Sequence, residues 1–172
     1  LRGTRLGQYL QSIAGRLAGR TKREWRGMEM FLDRKIAADD PRLQDVYRHF
    51  TRNLEDILVA SRHAGATPVL STVAVNLRDC APFASQHSAG IDEASLSAWQ
   101  EAYERGLAEE RQERWTPALQ AYEQAAALDP LFAETHFRQG RALEHLGRPT
   151  EAYAPYARAL EADALRFRAD AR

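Results

Sequence analysis

Cysteine is almost absent: Cys80 stands alone among 172 residues. One thiol excludes an internal disulfide and any multi-cysteine zinc site. Long apolar runs are missing too. None approaches the roughly 18 residues of a membrane-spanning helix, so no membrane segment is expected in this chain. Glycine (10) and proline (7) are too few for a collagen-like or low-complexity chain. Excess charge of one sign is also lacking, with 24 basic against 24 acidic residues. Basic and aromatic residues do not interleave as in nucleic-acid-binding sheets, so no nucleic-acid partner is expected. A positively charged start followed by an apolar stretch, the mark of a signal peptide, is not seen. Localisation is not readable.

What is present is a 44% hydrophobic, Arg- and Ala-rich chain with enough apolar residues for a sizeable core. Residues 1–35 carry nine Lys/Arg against three Asp/Glu. Such a stretch can meet phosphate or a membrane surface, or simply be a solvated helix face. Leu1 is not Met, and the sequence stops inside an Ala/Arg-rich helical pattern. It is therefore expected to be a piece of a longer protein.

Apolar spacing near 3.6 residues predicts helices over 1–18 and about 26–37. A third, clearer helix follows, with the stripe Leu43, Val46, Tyr47, Phe50, Leu54, Ile57, Leu58. Asp39 or Asp40 can cap it, Pro41 suits its first turn, and Gly65 suits its end. Val69 to Val75 is short, β-branched and apolar on both faces, which predicts a strand buried in a parallel sheet. No second strand is evident, so its sheet partners must lie outside this chain. Residues 76–92 form a loop after that strand, where open α/β sheets bind ligands.

From Ser97 onward the chain superimposes on itself at a shift of 34. Gly106 falls on Gly140, Glu110 on Glu144, Tyr122 on Tyr156, and Asp129 on Asp163. A period of 34 with small residues at 106, 118 and 125 is the tetratricopeptide signature. Helices are expected at about 97–112, 115–128, 131–146 and 149–162. Two repeats are fewer than the three usually needed for stability, so the preceding segment or a further helix must cover the ends.

Chemistry is sparse. His49, His63, His87, His136 and His145 form no metal-binding pair, so no metal is expected. There is no G-x-S-x-G elbow and no glycine-rich phosphate loop, and no cofactor is expected.

Three stretches carry a resemblance: W-R-G-M-E-M-F-L (25–32), Y-R-H-F-T-R-N-L-E-D-I-L (47–58) and T-V-A-V-N-L-R-D-C-A-P-F-A-S (72–85). Together they resemble the middle of bacterial SGNH/GDSL-type hydrolases that carry tetratricopeptide repeats. The resemblance covers nearly the whole chain. It implies an SGNH-like α/β segment over 1–92 with one buried strand, two tetratricopeptide repeats over 97–164, and a capping helix beginning at 165–172. The whole would be mostly helical. For a parent protein it implies hydrolysis of an ester or acyl substrate by a serine esterase. The catalytic parts do not map onto this chain. No Gly-Asp-Ser occurs, and no Asp stands three residues before any histidine. No catalytic residue is therefore assigned, and the isolated chain is expected to be inactive.

As a candidate pocket wall, the position after the C-terminal end of the expected strand singles out Asn76, Arg78 and Asp79. Asn76 would donate to an acyl or sugar oxygen and Arg78 would hold an anion. Alternatively, Asn76 caps a turn and Arg78 pairs with Asp79. The repeats offer a second function, a groove for a peptide or protein partner. It would be lined by Tyr103, Leu107, Glu110, Phe137, Arg141 and Glu144.

Overall fold

The structure, a computed structural model, describes residues 27–169. The chain divides into two compact units, Leu1–Met30 and Phe31–Arg172. Of the first, residues 27–30 are described, as the start of a 3-10 helix, Gly27–Arg34. The helix expected at about 26–37 takes this tighter form, and the one expected over 1–18 lies outside the described residues.

The second unit holds α1 (Arg42–His63), α2 (Glu93–Arg111), α3 (Trp115–Leu128), α4 (Ala133–His145) and α5 (Pro149–Ala162). Helix α1 begins where Asp40 accepts the Arg42 amide at 2.9 Å, so Asp40 serves the first turn as expected. It ends at Ala64, after which Gly65 takes φ +74°. Its apolar stripe, however, is only partly covered. Leu43 is buried, while Val46, Phe50 and Ile57 are each more than half exposed.

The α/β expectation is overturned. Among the described residues there is no strand and no sheet. Residues 69–75 are irregular, with Val69 at 89% and Val73 at 73% exposure. The reason is backbone chemistry. A strand is held by pairing its N–H and C=O groups with a neighbour, and no described segment offers one. The apolar, β-branched composition sets a preference, and pairing decides the outcome.

The helices of the repeats pack in series, α2 on α3, α3 on α4 and α4 on α5. Two of them, α2 and α5, begin for local reasons. Asp92 caps α2 by accepting the Ser95 amide at 2.9 Å. Pro149 opens α5, where its missing N–H costs nothing. The turn between the helices of a repeat needs a left-handed residue. Glu113 supplies it in the first (φ +57°) and Gly147, 34 residues on, in the second (φ +72°).

Packing follows the repeat. Gly106 lies against the Tyr122 ring and Gly140 against the Tyr156 ring, so closely that a Cβ on either would fall within 3 Å of the ring. One apolar cluster joins Leu119, Phe137, Leu143, Ala152 and Tyr156; another joins Trp99, Ala102 and Ala125. Beyond α5 the chain is irregular through residue 169. The capping helix expected to begin at 165 is not formed among the described residues. Just before it, the Ala164 backbone is engaged elsewhere: the Ile36 amide donates to Ala164 O, and the Ala164 amide donates to Ala84 O. Phe167 packs edge-on against Phe31 and Phe83 at 5.3 and 5.6 Å.

Candidate functional site

The first helices of the two repeats, α2 and α4, carry the six groove candidates in register, since 103, 107 and 110 become 137, 141 and 144 at a shift of 34. On α2 the spacings of four and three put Tyr103, Leu107 and Glu110 on one face. The structure brings Leu107, Glu110 and Arg141 together around a cavity of about 530 Å³. Arg111, Trp115, Arg138 and His145 complete its wall with Glu113.

Glu110 is the centre of this wall. The Tyr122 hydroxyl donates to it from α3, and Arg138 Nη1 donates from α4 at 2.9 Å. Arg141 Nη1 adds an ion pair at 3.4 Å. Burial alone would raise its pKa; the hydroxyl and the two guanidinium groups outweigh that and hold Glu110 below the usual glutamate range. Burial and the facing Glu110 together push the Tyr122 hydroxyl well above the usual tyrosine range. Arg138 also donates to the Tyr103 hydroxyl at 3.0 Å and pairs with Glu134 at 3.0 Å. Burial raises Glu134, in spite of that partner. One arginine thus ties three side chains from two helices.

The remaining candidates sit differently. Phe137 is buried in the α4–α5 core, 5.4 Å from the Tyr156 ring. Glu144 accepts the Tyr156 hydroxyl at 3.1 Å, the counterpart of the Tyr122–Glu110 bond. It also pairs with Arg78 at 2.9 Å. The two sets of candidates, separate in sequence, therefore touch at Arg78 and Glu144. Asn76 Oδ1 accepts the Asp79 amide at 2.9 Å, which closes a turn. Asp79 lies 3.9 Å from Arg78.

Arg111, Arg138, Trp115 and His145 were not legible as site residues. Trp115 and His145 stack at 3.7 Å with rings 1° from parallel, and they come from helices of different repeats. Arg138 has Glu104 as its counterpart in the first repeat, so the period itself hides it. Among the described residues no group of three or more His, Cys, Asp or Glu is placed to hold a metal. No described helix is long and apolar enough to cross a membrane.

The helical pairs, the close Gly–Tyr packing and the 34-residue recurrence point to one repeat family. Residues 103–166 match the tetratricopeptide repeat family. Neither the curated proteins nor the solved structures gave a match. The tetratricopeptide match covers the repeats and leaves the segment before them unassigned. The hydrolase resemblance gains no support: the family match is to a repeat, and the sheet that a hydrolase of that kind requires is not formed among the described residues. Tetratricopeptide repeats serve as protein–protein interaction modules.

Proposed function

We propose that this chain is a tetratricopeptide interaction module that holds a peptide segment of a protein partner against α2 and α4. The observation that carries the reading is the cavity between those helices, with Leu107 as an apolar contact beside the anchored Glu110–Arg138–Arg141 set. Its polar groups are already fixed by one another. A bound segment would meet a preorganised surface and lose less to ordering it. Arg141, the most exposed of the three, is the group best placed to reach a partner's acceptor.

Peptides selected from a displayed library against the full chain test this. Their affinities are then measured by calorimetry on Leu107→Asp and Arg141→Glu. Each substitution is expected to weaken binding tenfold or more, about 1.4 kcal/mol, with helicity unchanged. Selected peptides that bind both variants as well as the parent would place the site elsewhere. Phe137→Ala is not a usable probe, because Phe137 belongs to the core and its loss acts on folding.

A further inference from the structure

Residues 76–88 are irregular, yet they are held to the repeats along their length. Leu77 packs on the cluster that contains Phe137 and Tyr156. Arg78 pairs with Glu144 at 2.9 Å. The amides of Phe83 and Ala84 donate to the Asp163 carboxylate at 2.9 and 3.1 Å. Ser85 Oγ accepts the Glu134 amide at 2.8 Å, and so caps α4, whose own N-cap residue Phe132 has no side-chain acceptor. His87 Nδ1 lies 2.6 Å from Asp129, and its ring packs against those of Trp99 and Phe132. The Ser88 amide and hydroxyl both donate to Asp129.

These anchors repeat with the array. Asp129 and Asp163 are 34 apart; Asp129 accepts one backbone amide of the segment and Asp163 two, and each accepts the amide two residues on, Leu131 at 3.2 Å and Leu165 at 3.1 Å. Glu110 and Glu144 are also 34 apart. Glu110 receives its arginines from the first helix of the following repeat, Arg138 and Arg141. Glu144 receives Arg78 instead. Among the described residues, those where a following repeat would start its first helix, about 167 onward, are irregular.

We propose that residues 76–88 are a built-in ligand of the two repeats, with Arg78 standing where a following repeat's first helix would supply its arginines. The lane they occupy is a peptide-recognition surface separate from the α2–α4 cavity. What it reads is an extended segment with an apolar residue and an arginine at one end, then a serine seven residues after the arginine, then a His-Ser pair. An external segment of that pattern competes with the built-in one.

Two measurements test this on the full chain. The first is native hydrogen exchange. The amides of Phe83, Ala84 and Ser88 are expected to be protected at least tenfold over those of 69–75, and to open more readily than the centres of α4 and α5. Exchange as free as at 69–75 would mean that the lane does not hold the segment. Opening only together with α4 and α5 would make the segment part of the core rather than a ligand. The second is a fluorescent synthetic peptide of residues 76–90. It is expected to bind the double variant Leu77→Asp, Arg78→Glu at least tenfold more tightly than the parent protein, whose own segment competes with it, and the same peptide with Glu in place of its arginine should fail. No binding to the double variant while its helicity is intact would overturn the proposal. Should that variant lose its helices, the exchange result on the parent protein decides alone. The α2–α4 binding of selected peptides is read separately through Leu107 and Arg141, so either reading can fail without the other.

Discussion

Gly140 faces the Tyr156 ring, and its missing side chain is what lets α4 and α5 approach. A Cβ there would lie 2.6 Å from the ring carbons. The ring has nowhere to go, since it is buried and its hydroxyl is tied to Glu144. Gly140→Ala gains about 1 kcal/mol of helix propensity. Against that stands an overpacking cost of about 1–3 kcal/mol. A net loss of up to about 2 kcal/mol is expected in urea denaturation, and a more stable variant would show that the two helices can separate freely. This contact was legible beforehand, because glycine and tyrosine recur together at the shift of 34. Glu134 stands four residues before Arg138 on the same helix, but Tyr103 and Glu110 were not legible as its partners, because they lie on α2 and reach Arg138 only in the folded array.

Helix α1 shows what a stripe of apolar residues does and does not establish. Its period identified the helix and nearly its ends, because spacing, Asp40 and Gly65 all act locally. Which part of the stripe is covered depends on neighbours. Phe50 is 66% exposed and Leu43 only 5%. Phe50→Glu is therefore expected to change stability by no more than about 0.5 kcal/mol, and Leu43→Ala to cost about 2–5 kcal/mol. Equal losses in a denaturant titration would mean that something covers the Phe50 face. Residues 69–75 went the other way. Their β-branched composition reads as a strand, but a strand is not a local object. The four repeat helices were readable to within a few residues, since each is closed by its own hairpin partner.

For the whole molecule, Glu110 and the two tyrosines Tyr122 and Tyr156 make stability depend on pH. Glu110 titrates below the usual 4.5 in the folded chain. Its contribution is present above that usual value and is lost as pH falls through the lowered one. Tyr122 and Tyr156 titrate above the usual 10.0, chiefly because they are buried and each faces a glutamate. Their contribution is complete below about pH 10 and declines as pH rises beyond it. Thermal unfolding across pH is expected to show both limbs. Tyr122→Phe should flatten the alkaline limb and Glu110→Gln the acid one; an unaltered profile in both would mean these bonds carry no linkage.

The sequence by itself determined the helical period, the 34-residue repeat, the Gly–Tyr contacts and the absence of disulfide or multi-cysteine metal chemistry. All of these rest on residues close in the chain or on a strict recurrence. Only the tertiary structure decided that 69–75 is no strand, that Phe137 is core, and that Arg78 belongs to Glu144 across 66 residues. Those outcomes depend on which backbone and side-chain groups find partners at long range. Nothing in the local order of residues encodes that choice, because unpaired groups accept whichever partner the packed helices bring within reach.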